Sequence, residues 1–410
     1  MKENKPWWNL LQEDLLCSIV GRLAIADYTR MCAVCREWNG TLSRETKPNP
    51  RPEFPWLLLP SNSGELTASC SFLSIPDRRR YDFTSLPEVS GRRWIGSKDG
   101  WLVTLDLISL QPRILNPLTR EEFSLPCLPT NLPNDDVKIS RRPDGSAHEF
   151  WDSDPSRDEY PISEFADIYL RKIVLSTVPF GVTVLLCGIV YPVTIALAKP
   201  GDNGWSQGPK RRQYDYFEDV VFCKNAGKFY VVTSCAAVLS FNVDGLAVFE
   251  IAPGGDVRCT LHNKYIFCCP SGLLLQVWRV LDYYYLPNGD DRSMTVEFKL
   301  YKMNPDGKGN GLYGVEVKDL GDQCLFLGGR NSSRLMVAEN IHGSRAGCIY
   351  FTEDLPEALY YSEKTSSSIP FMDVGWFDVR ERKVGRYFPL LMAHSRSNWP
   401  APIWFFPSIV

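Results

Sequence analysis

The stretch DVVFCKNAGKFYVV, residues 219–232, decides the fold of this 410-residue chain. Two short runs rich in β-branched and aromatic residues, Val220–Cys223 and Lys228–Thr233, flank a turn that ends in Gly227. A strand-like run, a tight turn with glycine and a second run are typical of a β-hairpin. The same unit recurs around Gly272, 45 residues further along the chain.

Further copies of this hairpin unit occur both upstream and downstream, at 94–105, 243–245, 347–351 and 376–387. A spacing of about 40 to 50 residues for each four-stranded unit is typical of a β-propeller blade. The sequence therefore predicts a mainly β fold, with a kelch-like β-propeller of about six to eight blades over residues 61–410. An immunoglobulin-like array is the alternative, but no second proline-rich boundary divides those residues.

An apolar segment at 173–198 contains no charged residue and is long enough to span a bilayer. Pro179 and Pro192, together with two glycines, divide it into three runs of strand length. Heavy β-branching in each run favours consecutive buried strands. We therefore expect no membrane partner.

The first 45 residues differ from the rest because they have helical periodicity. Apolar residues recur every fourth position and predict a first helix with one apolar stripe. The residues of this stripe and of its wider edge are Leu11, Leu15, Ile19, Leu23, Leu16 and Val20. Gly21 and the short stretch 22–26 are expected to loosen or end this helix, and the Asp27 carboxylate to cap a second one.

The predicted second helix has its own apolar face of Met31, Val34, Cys35 and Trp38. Five prolines follow between Thr46 and Pro60, and prolines favour an extended connector over a helix. The sequence therefore predicts three parts: a helical module at 1–45, a proline-rich linker at 46–60 and the propeller at 61–410.

The charge balance gives no reason to expect a nucleic-acid partner. The 45 basic and 48 acidic residues are interspersed and leave a net charge of −3. The thirteen cysteines are an odd number without a regular framework, which predicts buried, reduced thiols. Because Glu13 and Asp14 interrupt the first apolar stretch, no secretory signal is predicted, and the expected location is the cytoplasm, the nucleus or both.

No motif in the sequence demands an enzyme, and we predict no catalytic, cofactor-binding or metal-binding residue. Cys32 and Cys35 have the C-x-x-C spacing but lack a second pair, so core packing is the interpretation. The stretch 309–314 matches G-x-G-x-x-G, yet a strand-like run follows instead of a helix, which favours a hairpin tip. A propeller glycosidase would need two opposed carboxylates, and the sequence cannot provide that geometry.

The N-terminal stretch resembles an F-box. Leu11, Leu15 and Ile19 match that family's first helix, and residues 30–38 match its R-x-x-x-V-C-x-x-W helix. The usual Leu-Pro before the first helix is here Leu11-Gln12, so the proline is absent. The resemblance implies a surface that binds a Skp-type adaptor. The implied adaptor-binding residues are Trp8, Leu11, Asp14, Leu15, Leu16, Ile19, Leu23, Asp27, Val34, Cys35 and Trp38.

The remaining residues resemble plant F-box proteins that carry a C-terminal KIB-type β-propeller. The motifs that carry this resemblance are GSKDGWLVTLD at 96–106, LNPLTREEFSLPCLP at 115–129 and LGDQCLFLGGRNSS at 320–333. The resemblance implies a non-catalytic substrate receptor of an SCF-type (Skp–cullin–F-box) ubiquitin ligase, which binds an unknown protein target. The alternative is a propeller scaffold whose F-box is degenerate and acts outside a ligase.

Overall fold

Among the residues that the structure describes, helices lie almost entirely in the N-terminal part of the chain. The computed structural model describes residues 11–42, 52–59, 70–83, 86–128, 137–152, 159–162, 165–177, 180–187, 194–209, 216–244, 248–255, 262–285, 291–328, 333–353, 373–387, 390 and 402–408. The helices in these ranges are α1 (Glu13–Val20), α2 (Ile25–Cys32), α3 (Arg36–Leu42) and the short α4 (Phe165–Ile168). Two 3₁₀ turns lie at Pro87–Val89 and Ala338–Asn340.

Strands make up most of the remaining described residues. The first half contains β1 (Trp56–Leu59), β2 (Cys70–Ser74), β3 (Arg79–Phe83), β4 (Arg92–Lys98), β5 (Trp101–Asp106), β6 (Pro112–Leu115), β7 (Glu122–Ser124), β8 (Val137–Arg141), β9 (Ala147–Asp152), β10 (Tyr160–Pro161), β11 (Leu170–Leu175), β12 (Thr183–Cys187), β13 (Thr194–Ala198) and β14 (Ser206–Gln207). The second half contains β15 (Phe217–Cys223), β16 (Lys228–Thr233), β17 (Val238–Asn242), β18 (Val248–Ala252), β19 (His262–Cys268), β20 (Leu274–Tyr285), β21 (Asp291–Met303), β22 (Val315–Val317), β23 (Gln323–Leu327), β24 (Arg334–Val337), β25 (Cys348–Phe351), β26 (Gly375–Asp378), β27 (Lys383–Arg386) and β28 (Ile403–Phe405).

The described strands form seven sheets, and six of them surround a central channel. The edge strands β4, β11, β15, β19 and β24 supply residues to the channel wall, and Phe406 supplies the sixth directly after β28. These six sheets are the blades of the propeller. The three-stranded sheet β10-β9-β8 lies outside the ring, where Phe150 and Ile139 pack into the core shared by the β4–β7 and β11–β14 sheets.

The hairpins that the sequence predicts around glycine are confirmed. Strands β15 and β16 pair antiparallel, with Val221 opposite Tyr230, and Gly227 in their turn has a φ of 63°. Strands β19 and β20 repeat the arrangement, and Gly272 has a φ of 85°. Glycine adopts such positive φ values without the steric cost that a Cβ atom imposes, so these turns can be tight.

The uncharged segment at 173–198 forms strands, as expected. It supplies the second half of β11 and all of β12 and β13, which pair antiparallel in one blade. Within the described ranges, no helix has the length and apolarity to cross a membrane. The stretch 309–314 likewise lies in the turn between β21 and β22, which confirms the hairpin interpretation.

One blade joins the two ends of the propeller. Strand β28 pairs antiparallel with β1, which places Leu57 opposite Trp404, and β2 and β3 complete this sheet. Trp404 is fully buried and its indole N–H donates to the Leu327 carbonyl oxygen of the neighbouring blade at 3.2 Å. Because β1 lies within 46–60, the sheet extends back into the segment predicted as the linker.

The second predicted helix is in fact two helices, α2 and α3. Helix α2 begins at Ile25, so Asp27 lies in its first turn, and the prediction that Asp27 caps the helix is wrong. The Glu53 carboxylate accepts a hydrogen bond from the Ile25 N–H and satisfies a free donor at this end. The chain breaks at 33–35, and the Cys35 thiol then accepts from the Trp38 N–H at 3.4 Å in the first turn of α3.

The N-terminal helices are attached to the propeller through Ile25. This side chain is buried in a core cluster with residues of the closing blade, among them Trp56, Phe72 and Phe405. The Ile25–Glu53 hydrogen bond lies at the same junction. The helical module therefore rests on the blade that also contains β1 and β28.

The expectation that all thiols are reduced is wrong for one pair. Cys223 at the end of β15 and Cys268 at the end of β19 form a disulfide between neighbouring blades. Their Cα atoms are 5.3 Å apart, within disulfide reach, but only the pairing of blades reveals this proximity. The described free cysteines include buried Cys70 and Cys187, and burial raises the pKa of both thiols to about 12.

Glu218 on β15 carries a largely enclosed carboxyl, 13% exposed, that should make stability depend on pH. Burial raises the pKa of Glu218 to about 7, although the Lys264 ammonium at 3.3 Å opposes the shift. Unfolded glutamate titrates near pH 4.3. The folded state therefore binds the proton more tightly, and the contribution of Glu218 to stability is complete below about pH 4.3 and is lost as pH rises through about 7.

We expect the free energy of unfolding to fall over this pH window, and Glu218→Gln to flatten the fall because glutamine does not titrate. Guanidinium denaturation at a series of pH values between about 4 and 8 measures the free energy of unfolding of the wild type and of Glu218→Gln. Parallel pH profiles for the wild type and the variant would contradict the assignment.

Candidate protein-interaction site

Helix α1 has two apolar faces, and only one of them is buried. Leu16 and Val20 point into the helical module, with exposed fractions of 3% and 0%. Leu15 and Ile19 are 52% and 41% exposed. Because residues four apart share one helix face, Leu15 and Ile19 lie next to each other on the outer surface. We call these two residues the outer face of α1.

The inner face of α1 belongs to a small core that the three N-terminal helices build for themselves. Leu16 and Val20 pack there with Tyr28, Met31 and Leu42. The Tyr28 hydroxyl donates to the Leu42 carbonyl oxygen at 2.9 Å and ties α2 to the end of α3. Burial raises the pKa of Tyr28, so this hydroxyl keeps its proton. The module is therefore held together without the outer face.

The other residues that resemblance implies as adaptor contacts occupy several environments. Leu11, Leu23 and Trp38 are half-buried against the helical core, and Cys35 is half-buried at the start of α3. Asp14 is exposed in the first turn of α1, and exposed Asp27 forms an ion pair with Arg30 at 2.6 Å.

Val34 is the third large apolar residue exposed on the module, at 52%. Trp8 lies outside the described residues. The structure thus leaves Leu15, Ile19 and Val34 exposed, whereas Leu16 is enclosed. Leu16 packs in the helical core and so holds α1 in place, and a polar residue at this position would disrupt that core.

The outer face can supply binding energy from apolar burial. Each large apolar side chain removed from water contributes on the order of 1.5 to 3 kcal/mol, before the cost of association is subtracted. Glu13 and Asp14 lie beside this face in the first turn, where negative charge also suits the helix dipole. An apolar centre with a charged rim is the usual composition of a protein interface.

A second concave site lies at one mouth of the propeller channel, and the sequence interpretation missed it. Four of its five charged residues lie at the ends of innermost strands or in the turns beside them: Lys98, Asp99, Lys224 and Arg334. The fifth, Lys172, lies within β11. These residues are scattered over more than 230 positions of the chain, so no sequence motif joins them. The available signal was a basic residue beside two of the predicted turns, at Lys98 and Lys224.

Residues 72–386 match the family model of the KIB1-4 β-propeller. The chain belongs to the KIB1-4 β-propeller family. The six blades and the closing strand described above are the architecture of this KIB1-4 propeller, and the mainly β fold with N-terminal helices is confirmed.

Curated relatives of this KIB1-4 protein are F-box proteins of Arabidopsis thaliana. One is 24% identical over 439 residues, which cover 98% of this chain and 97% of the relative. A second is 31% identical over 262 residues, which cover 62% of this chain and 61% of the relative. The first match includes the N-terminal helices, so the likeness extends beyond the propeller.

Proposed function

We propose that this protein is the substrate-recognition subunit of an SCF-type E3 ubiquitin ligase. The outer face of α1 binds a Skp-type adaptor and, through it, a cullin, while the propeller binds the protein target. The subunit itself is non-catalytic, and it acts in the cytoplasm, the nucleus or both. The observation that carries the proposal is the pair of exposed leucine and isoleucine side chains on a helix whose other face is fully packed.

The physical division of the molecule supports this proposal. The helical module buries its own core and still exposes apolar side chains, which indicates a partner surface. The propeller presents loops on a closed ring of blades, where residues can bind a target without contributing to the core. The relatives named as F-box proteins support the adaptor-binding part of the proposal.

Reconstitution with a purified Skp-type adaptor tests the proposal. The full chain should elute together with the adaptor in size-exclusion chromatography and should then capture the cullin. A chain that binds other cellular partners but neither the adaptor nor the cullin would instead be a scaffold with a degenerate F-box. The observation that favours this second function is Gln12, which stands in place of the usual proline.

Gln12→Pro is expected to tighten adaptor binding without strain. Gln12 precedes α1 with φ −65° and ψ 147°, and proline fixes φ near the same value. The carbonyl of Gln12, which proline retains, accepts the first helical hydrogen bonds from Leu15 and Leu16. Proline at a compatible position typically stabilises by about 0.4 to 1 kcal/mol, chiefly by restricting the unfolded chain.

Isothermal titration of the adaptor into wild type and Gln12→Pro measures the change. Gln12→Ala is the matched control, because it removes the glutamine side chain without fixing φ. An unchanged or higher dissociation constant for Gln12→Pro would contradict the expectation.

A further inference from the structure

The mouth of the central channel is a preformed cavity that the adaptor-binding role does not use. Its volume is about 290 Å³, close to the lower end of the range for ligand pockets. Residues on or directly after the innermost strands of all six blades line it. Because these strands belong to different blades, the cavity is held open by the ring itself.

Lys98 places a positive charge in the wall of this cavity. Its ammonium group donates to the carbonyl oxygen of Ser176 at 3.0 Å and to that of Leu175, and lies over the Phe222 ring at 5.8 Å. Among the described residues, no carboxylate forms an ion pair with Lys98 or with its neighbour Lys224. Burial lowers the pKa of Lys98, and nearby Arg334 and Lys224 lower it further while Asp99 opposes the shift.

The remaining charges leave an excess of positive charge at the mouth. Arg334 forms an ion pair with Asp99 at 3.1 Å and lies over the Phe406 ring at 5.2 Å. Lys172 also lines the cavity, but it pairs with Asp219, so that pair adds no net charge. Apart from that pair, the three cations Lys98, Lys224 and Arg334 and the one carboxylate of Asp99 leave two uncompensated positive charges.

Ser333 provides an independent sign that a ligand belongs in this cavity. Its hydroxyl oxygen is buried, lines the cavity and has no hydrogen-bond partner among the described residues. Buried hydroxyl groups in proteins are nearly always paired, because an unpaired one loses its hydrogen bonds to water. An acceptor atom entering the cavity would restore the missing bond.

We propose that the channel mouth binds a single anionic group, a carboxylate or phosphate, on a side chain of the target protein. Lys98, Lys224 and Arg334 supply the compensating charge, and the Ser333 hydroxyl donates a hydrogen bond to the anion. That the anion is carried by a protein rests on the proposed function. The cavity is large enough for one anionic group, and the chain as a whole is acidic. The cavity therefore does not fit the continuous backbone of a nucleic acid.

Fluorescence anisotropy of the full chain with a labelled peptide tests this proposal. The probes are a glycine-rich peptide with one central phosphoserine, the same peptide with glutamate, and the same peptide with glutamine. We expect the two anionic peptides to bind at least about tenfold more tightly than the neutral one, because the missing charge would leave desolvated cations unpaired. Inorganic phosphate should compete with both anionic peptides.

Three variants locate the binding. Lys224→Glu should weaken binding of the anionic peptides at least about tenfold. Ser333→Ala should weaken their binding about threefold to tenfold. It should leave the melting temperature of the protein unchanged, because no internal hydrogen bond is lost. Lys318→Glu makes the same charge change at an exposed residue beside β22 and should leave affinity unchanged.

Equal binding of all three peptides would overturn the proposal, as would equal losses from Lys224→Glu and Lys318→Glu. Tighter binding of a ten-nucleotide oligo-dT than of any peptide would overturn the assignment to a protein side chain. Because these measurements use the chain without the adaptor, they are independent of adaptor capture. Failure of the anion site can therefore be distinguished from failure of the ligase proposal.

Discussion

Replacing Leu15 and Ile19 together by aspartate is expected to abolish capture of a Skp-type adaptor while the protein remains folded. Both side chains are half-exposed, so aspartate there meets water in the free protein. In a complex the same carboxylates would be buried without partners, and the apolar contribution of two large side chains would also be lost. We expect the dissociation constant to rise at least about 100-fold.

The measurement is surface-immobilised adaptor binding, combined with thermal unfolding of each variant. Val248→Asp/Phe249→Asp is the matched control, since these two apolar residues are similarly exposed on β18, in the propeller. It should leave adaptor affinity unchanged. Wild-type affinity in Leu15→Asp/Ile19→Asp would show that the outer face of α1 is not the adaptor site.

Leu16→Asp separates binding from folding. Leu16 lies in the core of the helical module, so an aspartate there should unfold the module and abolish adaptor binding indirectly. Near-ultraviolet circular dichroism and limited proteolysis of residues 11–42 should change for this variant alone.

Asp373→Ala is expected to cause the largest loss of stability in the propeller. Asp373 and Arg279 are both fully buried, and their side chains are 3.0 Å apart between two neighbouring blades. Arg279 also donates to the Thr352 carbonyl oxygen at 2.8 Å and to the Thr295 hydroxyl at 2.7 Å. Alanine would leave the guanidinium charge buried and without its carboxylate, which typically costs about 3 to 5 kcal/mol.

Guanidinium denaturation followed by tryptophan fluorescence measures this loss. The matched control is Asp319→Ala, which breaks an ion pair with Arg380 at 2.7 Å on the surface and should leave the midpoint unchanged. Arg279→Met/Asp373→Leu removes both members of the buried pair and should recover part of the loss, because Arg386 and the Thr295 N–H also lose Asp373 as a partner. Equal midpoints for Asp373→Ala and Asp319→Ala would contradict the role of the buried pair.

The local part of the fold could be predicted from the sequence because it depends on neighbours along the chain. Gly227 and Gly272 marked hairpins, since a turn with positive φ favours glycine and strand-like runs flanked each turn. The uncharged segment at 173–198 was divided correctly into three strands by its prolines and glycines. The end of α1 at Gly21 was also predicted correctly.

The parts that could not be predicted depend on contacts between distant residues. Asp27 failed as a cap because Glu53, beyond the module, satisfies the start of α2 instead. The Cys223–Cys268 disulfide requires two blades to be neighbours, and the parallel pairing of β23 with β25 skips the intervening strand β24. The channel mouth is similar, because its residues meet only when the ring is complete.

For the candidate site, the sequence indicated the residues but not which way they face. A stripe of Leu11, Leu15 and Ile19 together with Leu16 and Val20 covers too much of a helix for one groove. Only the packing of α1 on α2 and α3 divides these residues into an inner and an outer set.

The pairing of β28 with β1 has a consequence for biosynthesis. The first blade lacks strand β28 until residues 403–405 have emerged from the ribosome. The cluster in which Ile25 is buried includes Ile403 and Phe405 from that last strand. A chain that ends before residue 403 would therefore hold its N-terminal helices less firmly, because part of the cluster that buries Ile25 would be missing.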